Sequence, residues 1–265
     1  MIALKQICTE VAEIAHLAGD FILKESKRFS ENDIETKGLN NFVTYVDKGS
    51  EQMLIEKLGP LVPGAGFIAE EGTSDFRGAK YNWVIDPLDG TTNFLHRVRP
   101  YAISIGLMED GEPVAGVVHE VGGLETYSSW MDGGSWLNGK RIHVSETKNL
   151  SASLVATGFP YNLFDRLDPY MDLLGWLVKR THGVRRLGSA SIDLAYVACG
   201  RFDIFFEYDL KPWDVAAGML LVREAGGMFS DFSGNTKGLT GDETIASNSL
   251  VYNEILDAIK RFMKK

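Results

Sequence analysis

The chain has 265 residues, 45% hydrophobic and 24% charged, which is typical of a globular protein with one large domain or two closely packed halves. Its formal net charge of −9 argues against nucleic acid as a partner. The two cysteines, Cys8 and Cys199, lie in apolar helix-like segments. We therefore predict buried free thiols and a reducing, cytoplasmic environment.

The amino-terminal segment is predicted to be an amphipathic helix. Apolar residues recur at spacings of three and four between Leu4 and Phe21. Charged residues, among them Lys5 and Asp20, interrupt this segment. We therefore expect neither a signal peptide nor a membrane span, and no membrane partner.

The next part of the chain is predicted to be rich in strands. A helix over about 47–58 precedes two short buried strands at 66–69 and 81–85. Between about 101 and 144 we expect an antiparallel meander with hairpin turns at Asp110-Gly111 and Asn138-Gly139.

Beyond residue 145 the pattern alternates between strands and helices. The predicted strands are 154–157, 184–187, 202–206 and 245–246, and the predicted helices are 169–179, 189–198, 212–225 and 249–262. We therefore predict two α/β layers that share a cleft, with an amino-terminal half over 1–146 and a carboxyl-terminal half over 147–265.

The segment from Trp83 to Phe94 is the most informative chemically. Its strand is predicted to end at Asp86, because Pro87 cannot continue the ladder, and Asp89 follows three residues later. Two carboxylates this close repel each other unless a cation lies between them. The pair predicts a cation site, although two solvated aspartates in a capped turn would also explain it.

The residues that follow predict an anion site beside that cation site. Gly90 allows backbone to approach a ligand closely, and Thr91 and Thr92 suit the cap of a following helix. The free N–H groups at such a helix start favour a phosphate.

Several other polar residues are candidates, but each has a simpler explanation when taken alone. Glu70 could lie in a solvated turn, Asp47 could be a helix N-cap, and Asp214 could be a carboxylate that complements a helix dipole. Glu207 could be an exposed strand end. Surface charge would explain Arg185, Arg186 and Lys37, and a plain capped turn would explain Gly188–Ser191. Carboxylate oxygens suit Mg²⁺. The five histidines contain no pair at zinc-ligand spacing, and there is no cysteine cluster, so zinc is disfavoured.

Taken together, these segments resemble the inositol monophosphatase family of lithium-sensitive, magnesium-dependent phosphatases. The resemblance covers nearly the whole chain and is carried by 67–71, 83–94, 188–191 and 211–218, above all by the string Asp-Pro-Leu-Asp-Gly-Thr-Thr-Asn-Phe. It implies a layered αβαβα sandwich of α/β (α+β) class, with a mixed amino-terminal sheet and a smaller carboxyl-terminal sheet. It also implies a homodimer, two or three Mg²⁺ ions, lithium sensitivity, and a small phosphorylated polyol or sugar as substrate.

The resemblance also implies roles for particular residues. Metal ligands are implied at Glu70, Asp86, Asp89, Asp214 and the Leu88 carbonyl. Asp47 and Thr91 would orient and deprotonate the attacking water, with Glu70 as a further catalytic residue. Substrate contacts are implied at Asp89, Gly90, Thr91, Gly188, Ser191, Glu207 and Asp214, with Gly90 and Thr91 on the phosphate. The family often has alanine where this chain has Ser191, which bears on substrate preference and not on the metal site.

The implied reaction is hydrolysis of inositol monophosphate by attack of a metal-activated water. Thr92 favours this substrate, because relatives with other substrates commonly carry lysine or arginine there. Fructose-1,6-bisphosphatase or another sugar or polyol phosphatase activity is the alternative, and a binding protein that has lost catalysis is a more distant one. A haloacid-dehalogenase-like nucleophile would fall on Pro87, which has no nucleophilic atom, and no P-loop motif occurs.

Overall fold

The protein is described from a computed structural model, over residues 2–29, 34–38, 41–74, 76–160, 164–238 and 240–263. Side chains of 34–38 and 41–43 lie outside the described part, and this includes Lys37. The helices are α1 Leu4–Glu25, α2 Tyr45–Leu58, α3 Thr91–Leu95, α4 Leu167–Val178, α5 Ala190–Ala198, α6 Pro212–Glu224 and α7 Tyr252–Phe262. None of the described helices is both long enough and apolar enough to cross a membrane.

The strands form two main sheets and a hairpin. The hairpin is β1 Ile34–Gly38 and β2 Asn41–Thr44. The large sheet contains β3 Gly66–Ala69, β4 Tyr81–Asp89, β5 Ala102–Glu109, β6 Glu112–Glu120, β7 Glu125–Trp130, β8 Gly134–Leu137 and β9 Lys140–Ile142, in chain order. The small sheet contains β10 Leu154–Thr157, β11 Gly183–Arg185, β12 Ile204–Tyr208, β13 Gly227–Ser230 and β14 Glu243–Asn248, in the order β11-β10-β12-β14-β13.

Both sheets are mixed, and helices separate and cover them. Among the described strands of the large sheet, β3 and β4 pair in parallel and the other pairs are antiparallel, whereas β11, β10 and β12 are parallel in the small sheet. Helices α1 and α2 pack on the outer face of the large sheet, α5 and α6 lie between the sheets, and α4 and α7 cover the small sheet. This confirms the predicted five-layer α/β architecture.

Most elements match their predictions, and the differences have local causes. Strand β4 continues through Pro87 to Asp89, so the prediction that it ends at Asp86 was wrong. Strand β12 begins two residues later than predicted and encloses Glu207, which is buried and not an exposed strand end. The β1–β2 hairpin and β13 were not predicted. The division into halves at 146/147 stays a prediction.

Candidate active site

A bulge in β4 brings the first two candidate aspartates to one place. Asp86 pairs with Ser104 of β5, and the next paired residue of β4 is Asp89, opposite Ala102, so β4 contains one extra residue here. Proline is tolerated in a bulge because no ladder hydrogen bond is required from it. The Ser50 hydroxyl donates to the Pro87 carbonyl at 3.0 Å and so holds the bulge against α2.

Asp214 completes a cluster of three carboxylates. One oxygen each from Asp86, Asp89 and Asp214 lie within 4.8 Å of one another. Asp214 lies in the first turn of α6 and accepts a hydrogen bond from the Lys211 amide at 2.7 Å. Proline at the start of this helix presets the backbone that presents Asp214.

The cluster has the electrostatics of a cation site. Burial, followed by the charges of Glu70, Asp89 and Asp214, raises the pKa of Asp86 well above its usual range. Burial and the Asp89 charge raise the pKa of Asp214 to about 7. Such crowding is relieved by a divalent cation, and carboxylate oxygens are ligands that Mg²⁺ prefers. These residues therefore fit the predicted magnesium site.

Asp89 also joins the end of β4 to the start of α5. Its Oδ2 atom accepts hydrogen bonds from the Ser189 hydroxyl at 2.7 Å, the Ser191 amide at 2.8 Å and the Ser191 hydroxyl at 2.5 Å. Burial still raises the pKa of Asp89, so these donors do not fully offset the loss of water. The Ser191 amide is thus engaged with Asp89, and its contact with a substrate hydroxyl stays a prediction.

Asp47, Thr91 and Leu88 form a hydrogen-bonded group beside the carboxylate cluster. The Thr91 hydroxyl lies 3.1 Å from Asp47 Oδ1 and 3.0 Å from the Leu88 carbonyl, and it can donate to one of them at a time. Asp47 also accepts from the amide and hydroxyl of Thr44, and burial raises the pKa of its carboxyl. Thr44 is the N-cap of α2 and Asp47 is its N3 residue, which completes a capping box, so Asp47 does cap the helix although it is not the N-cap residue itself.

The start of α3 is held against the loop before α5. Gly90 is the N-cap, with φ of 88°, so Thr91 and Thr92 lie inside the helix and the prediction that they cap it was wrong. A Cβ atom on Gly90 would lie 3.1 Å from the Gly188 carbonyl, which explains the glycine. The Asn93 side-chain amide donates to the Leu187 carbonyl at 2.8 Å and fixes the same contact.

Glu70 lies just after β3, on a turn that a buried carboxylate supports. Fully buried Glu51 accepts hydrogen bonds from the amides of Glu71 and Thr73, both at 2.8 Å. The charge of Glu70 acts on Asp86, which is consistent with a ligand at the edge of the cluster. The sequence gives no signal for Glu51, because its partners lie about twenty residues away on another element.

A small cavity adjoins the carboxylate cluster. Its volume is about 60 Å³, and Asp89, Gly188, Asp214, Glu207 and Asp193 contribute to its lining. A Cβ atom on Gly158 would lie 2.1 Å from both carboxylate oxygens of Glu207, so only glycine leaves room for that carboxylate. Burial, then the charge of Asp214, raises the pKa of Glu207. The cavity joins the predicted substrate residue Glu207 to the predicted metal ligands.

The sequence did not single out three residues that line this cavity: Gly158, Arg186 in a functional role, and Asp193. Asp193 has a signal in retrospect, since it is the one acidic residue of helix α5, whose other residues are apolar, small or aromatic. The Arg186 charge lowers the pKa of both Glu207 and Asp193, against the larger effect of burial. It therefore supplies positive charge to an acidic cavity.

Comparison with known proteins agrees with this geometry. The sequence model of the inositol monophosphatase family matches residues 4–263. The chain is 41% identical over 251 residues to the Nus factor SuhB of Pseudomonas aeruginosa, covering 93% of each chain. It is 35% identical over 252 residues to the inositol-1-monophosphatase of Mesorhizobium japonicum, covering 95% of each.

Solved structures are similar over nearly the whole chain. The inositol monophosphatase of Anabaena (Nostoc) sp. has a TM-score of 0.86 at 33% identity, with 98% of this chain and 97% of that chain covered. The extragenic suppressor protein SuhB of Bartonella henselae has a TM-score of 0.90 at 32% identity, with 98% and 99% covered.

Proposed function

Because the chain belongs to the inositol monophosphatase family, we propose that it is a magnesium-dependent phosphomonoesterase that hydrolyses inositol monophosphate to inositol and phosphate. The observation that carries this proposal is the cluster of Asp86, Asp89 and Asp214, whose oxygens lie within 4.8 Å of one another. Glu70 and the Leu88 carbonyl are proposed as further ligands. Some relatives are named Nus factor SuhB and others inositol-1-monophosphatase, so their names do not decide the substrate. The choice of inositol monophosphate is supported by the cavity beside Glu207 and by Thr92.

The chain's own residues support direct attack by water. When bound, Mg²⁺ neutralises phosphate oxygens and acidifies a nearby water. The Thr91 hydroxyl and the Asp47 carboxylate, 3.1 Å apart, are proposed to orient that water and take its proton. Because burial raises the pKa of Asp47, its carboxylate is a stronger base than that of an exposed aspartate. The backbone N–H groups of Gly90 and Thr91 are proposed to bind the phosphate. The rest of the substrate is proposed to contact Gly188, Ser191 and Glu207.

A panel of phosphate esters tests the substrate. Initial rates would be measured with inositol 1-phosphate, fructose 1,6-bisphosphate and p-nitrophenyl phosphate at saturating Mg²⁺. We expect the highest kcat/KM with inositol 1-phosphate. A higher value with fructose 1,6-bisphosphate would favour the alternative within the same superfamily, and no release from any ester would refute the phosphatase.

The stereochemistry at phosphorus tests whether water attacks the phosphate directly. A single displacement by water inverts configuration at phosphorus, whereas an aspartyl-phosphate intermediate would retain it. Hydrolysis of an ester made chiral at phosphorus should therefore give inversion. Retention would contradict the roles proposed for Asp47 and Thr91. The homodimer, the cytoplasmic location and the lithium sensitivity stay predictions.

A further inference from the structure

One face of helix α2 is buried, but its first residues are polar. Asp47, Ser50 and Glu51 are all buried, and they share the face that continues with Leu54 and Leu58. Spacings of three and four residues place all of them on one side of the helix. Apolar side chains usually occupy such a face, so the buried polar residues require an explanation.

Each of these polar side chains contacts a different segment of the candidate active site. Asp47 Oδ1 lies 3.1 Å from the Thr91 hydroxyl of α3. The Ser50 hydroxyl donates to the Pro87 carbonyl in the bulge of β4 at 3.0 Å. Glu51 accepts hydrogen bonds from the turn that follows β3. Helix α2 therefore ties together the segments that carry the proposed metal and phosphate residues.

The turn after β3 depends on Glu51 for half of its amide hydrogen bonds. Of four successive amides, those of Glu70 and Gly72 donate to backbone carbonyls at 3.2 and 3.3 Å. Those of Glu71 and Thr73 donate to separate oxygens of Glu51, both at 2.8 Å. Glu51 thus fixes the backbone immediately after Glu70.

A carboxylate is the side chain that matches this turn. Both of its oxygens accept, so it satisfies two amide donors, whereas the amide of a glutamine offers one accepting oxygen and one donating nitrogen. Burying a carboxylate is costly, and an apolar side chain of similar size often packs at less cost. The charge of Glu70 acts on Asp86, so a shift of the turn changes what Glu70 contributes to the carboxylate cluster.

We propose that Glu51 is a positioning residue, which fixes the turn that carries Glu70 and thereby sets the affinity of the site for Mg²⁺. This inference rests on the magnesium-dependent function proposed above. It goes further by assigning part of the metal affinity to a buried residue of α2 whose two oxygens are already engaged by backbone amides.

Direct binding of Mg²⁺ to the whole chain tests this role without any measurement of turnover. Metal would be removed with a chelator, the chelator removed, and Mg²⁺ titrated by isothermal titration calorimetry. Glu51→Gln places a donor against an amide donor. We expect its Kd for Mg²⁺ to rise at least about tenfold, the scale on which hydrogen-bond partners that orient metal ligands act. Glu56→Gln, at an exposed position of the same helix, is the matched control and should leave the Kd unchanged.

A double-mutant cycle shows whether Glu51 acts through Glu70. In a Glu70→Gln background, Glu51→Gln should change the Kd for Mg²⁺ by less than about twofold, because the ligand that it positions is already altered. An undiminished rise in that background would show that Glu51 acts by another route, and the proposal would be wrong.

Thermal unfolding in a chelator separates positioning from a purely structural role. A purely structural role would lower the unfolding midpoint of metal-free Glu51→Gln and leave the Kd of the folded variant unchanged, which would overturn the proposal. If Glu51→Gln does not fold, Glu51→Asp takes its place with the same expected rise in Kd, since it keeps both acceptors but is one methylene shorter.

The unaltered protein distinguishes failure of this inference from failure of the proposed function. If it neither binds Mg²⁺ nor releases phosphate, the proposed function fails, and this inference fails with it. If it binds Mg²⁺ and releases phosphate, but the Glu51 variants bind Mg²⁺ equally well, this inference alone is refuted.

Discussion

Asp193 and Asp203 are successive aspartates along the chain, and both are buried, but their surroundings are opposite. Asp203 accepts a hydrogen bond from the Ser145 hydroxyl at 2.5 Å and another from the Leu154 amide at 2.6 Å. The Asn248 side chain donates to the same Ser145 hydroxyl at 2.7 Å. The Oδ1 atom of Asp193 has no hydrogen-bond partner in the described part of the chain, and the negative charge of Glu207 acts on this carboxyl.

The comparison extends to the two regions around these residues. Around Asp203 the chain itself supplies the hydrogen-bond donors. These bonds offset the cost of burying the carboxylate and stabilise the junction between β10, β12 and β14. Around the proposed metal site, the charges of Asp86, Asp89 and Asp214 are crowded together, which destabilises the fold until a cation neutralises them. Charge crowding, and not burial alone, therefore distinguishes the proposed site from the junction.

The largest expected effect is on turnover, when a carboxylate of the cluster Asp86, Asp89 and Asp214 is changed. Asp89→Asn or Asp214→Asn removes a charge from the proposed metal site. We expect kcat to fall on the order of 10³-fold, the scale on which loss of a preorganised electrostatic group acts. The far-ultraviolet circular dichroism spectrum should stay unchanged. Near-normal kcat at saturating Mg²⁺ would contradict the assignment of these ligands.

At the junction of β10, β12 and β14 we expect a loss of stability without a loss of activity. Asp203→Ala leaves the Leu154 amide and the Ser145 hydroxyl without this acceptor. The free energy of unfolding should fall by about 3 kcal/mol, since unsatisfied buried groups cost about 1–3 kcal/mol each. Urea unfolding measures this loss. Activity per folded molecule should be retained, and a large loss of activity in fully folded protein would erase the distinction between the two regions.

Glu207→Gln should act on substrate selection. Its carboxylate lies against Gly158 in the cavity, so the amide fits the same space but offers one acceptor fewer. We expect kcat/KM for inositol 1-phosphate to fall about tenfold or more, as for a lost hydrogen bond to a charged group. The value for p-nitrophenyl phosphate should fall less. Equal losses would count against a contact with substrate hydroxyls.

The smallest expected effect concerns pH and stability without metal. The pKa of Asp214 is raised to about 7 in the folded protein, so the folded state holds a proton that the unfolded state releases near pH 4. Stability of the metal-free protein should therefore fall as pH rises from about 4 to 7. Asp214→Asn should reduce this fall, measured as the urea midpoint at pH 5 and pH 7.5 in a chelator. An equal fall in both proteins would show that Asp214 does not cause it.

Much of this fold could be predicted from local signals. The Asp110-Gly111 and Asn138-Gly139 turns have positive φ at all four residues, as the hairpin pattern requires. Helix α6 begins at Pro212 and ends before Gly226, as predicted. These features depend on residues adjacent in sequence, so periodicity and turn chemistry are sufficient.

The rest depends on contacts between distant segments. Proline normally ends a strand, and only the pairing of β4 with β5 reveals the bulge that carries it through Pro87. Glu51 and Asp193 look alike in sequence as acidic residues on helices. One is satisfied by distant amides and the other is orphaned, which no local pattern encodes. The sequence could therefore predict the carboxylate cluster, from the spacing of Asp86 and Asp89 and from family resemblance, but it could not identify the unpaired oxygen of Asp193.

The magnesium dependence of phosphate release tests the central claim most directly. The protein would be stripped of metal with a chelator, and phosphate release from inositol 1-phosphate would be followed as Mg²⁺ is restored. We predict negligible release without metal and saturable recovery with Mg²⁺, and no recovery in the Asp89→Asn variant at the same concentrations. Release that persists unchanged in the metal-free protein, or that never appears when Mg²⁺ is restored, would contradict the account.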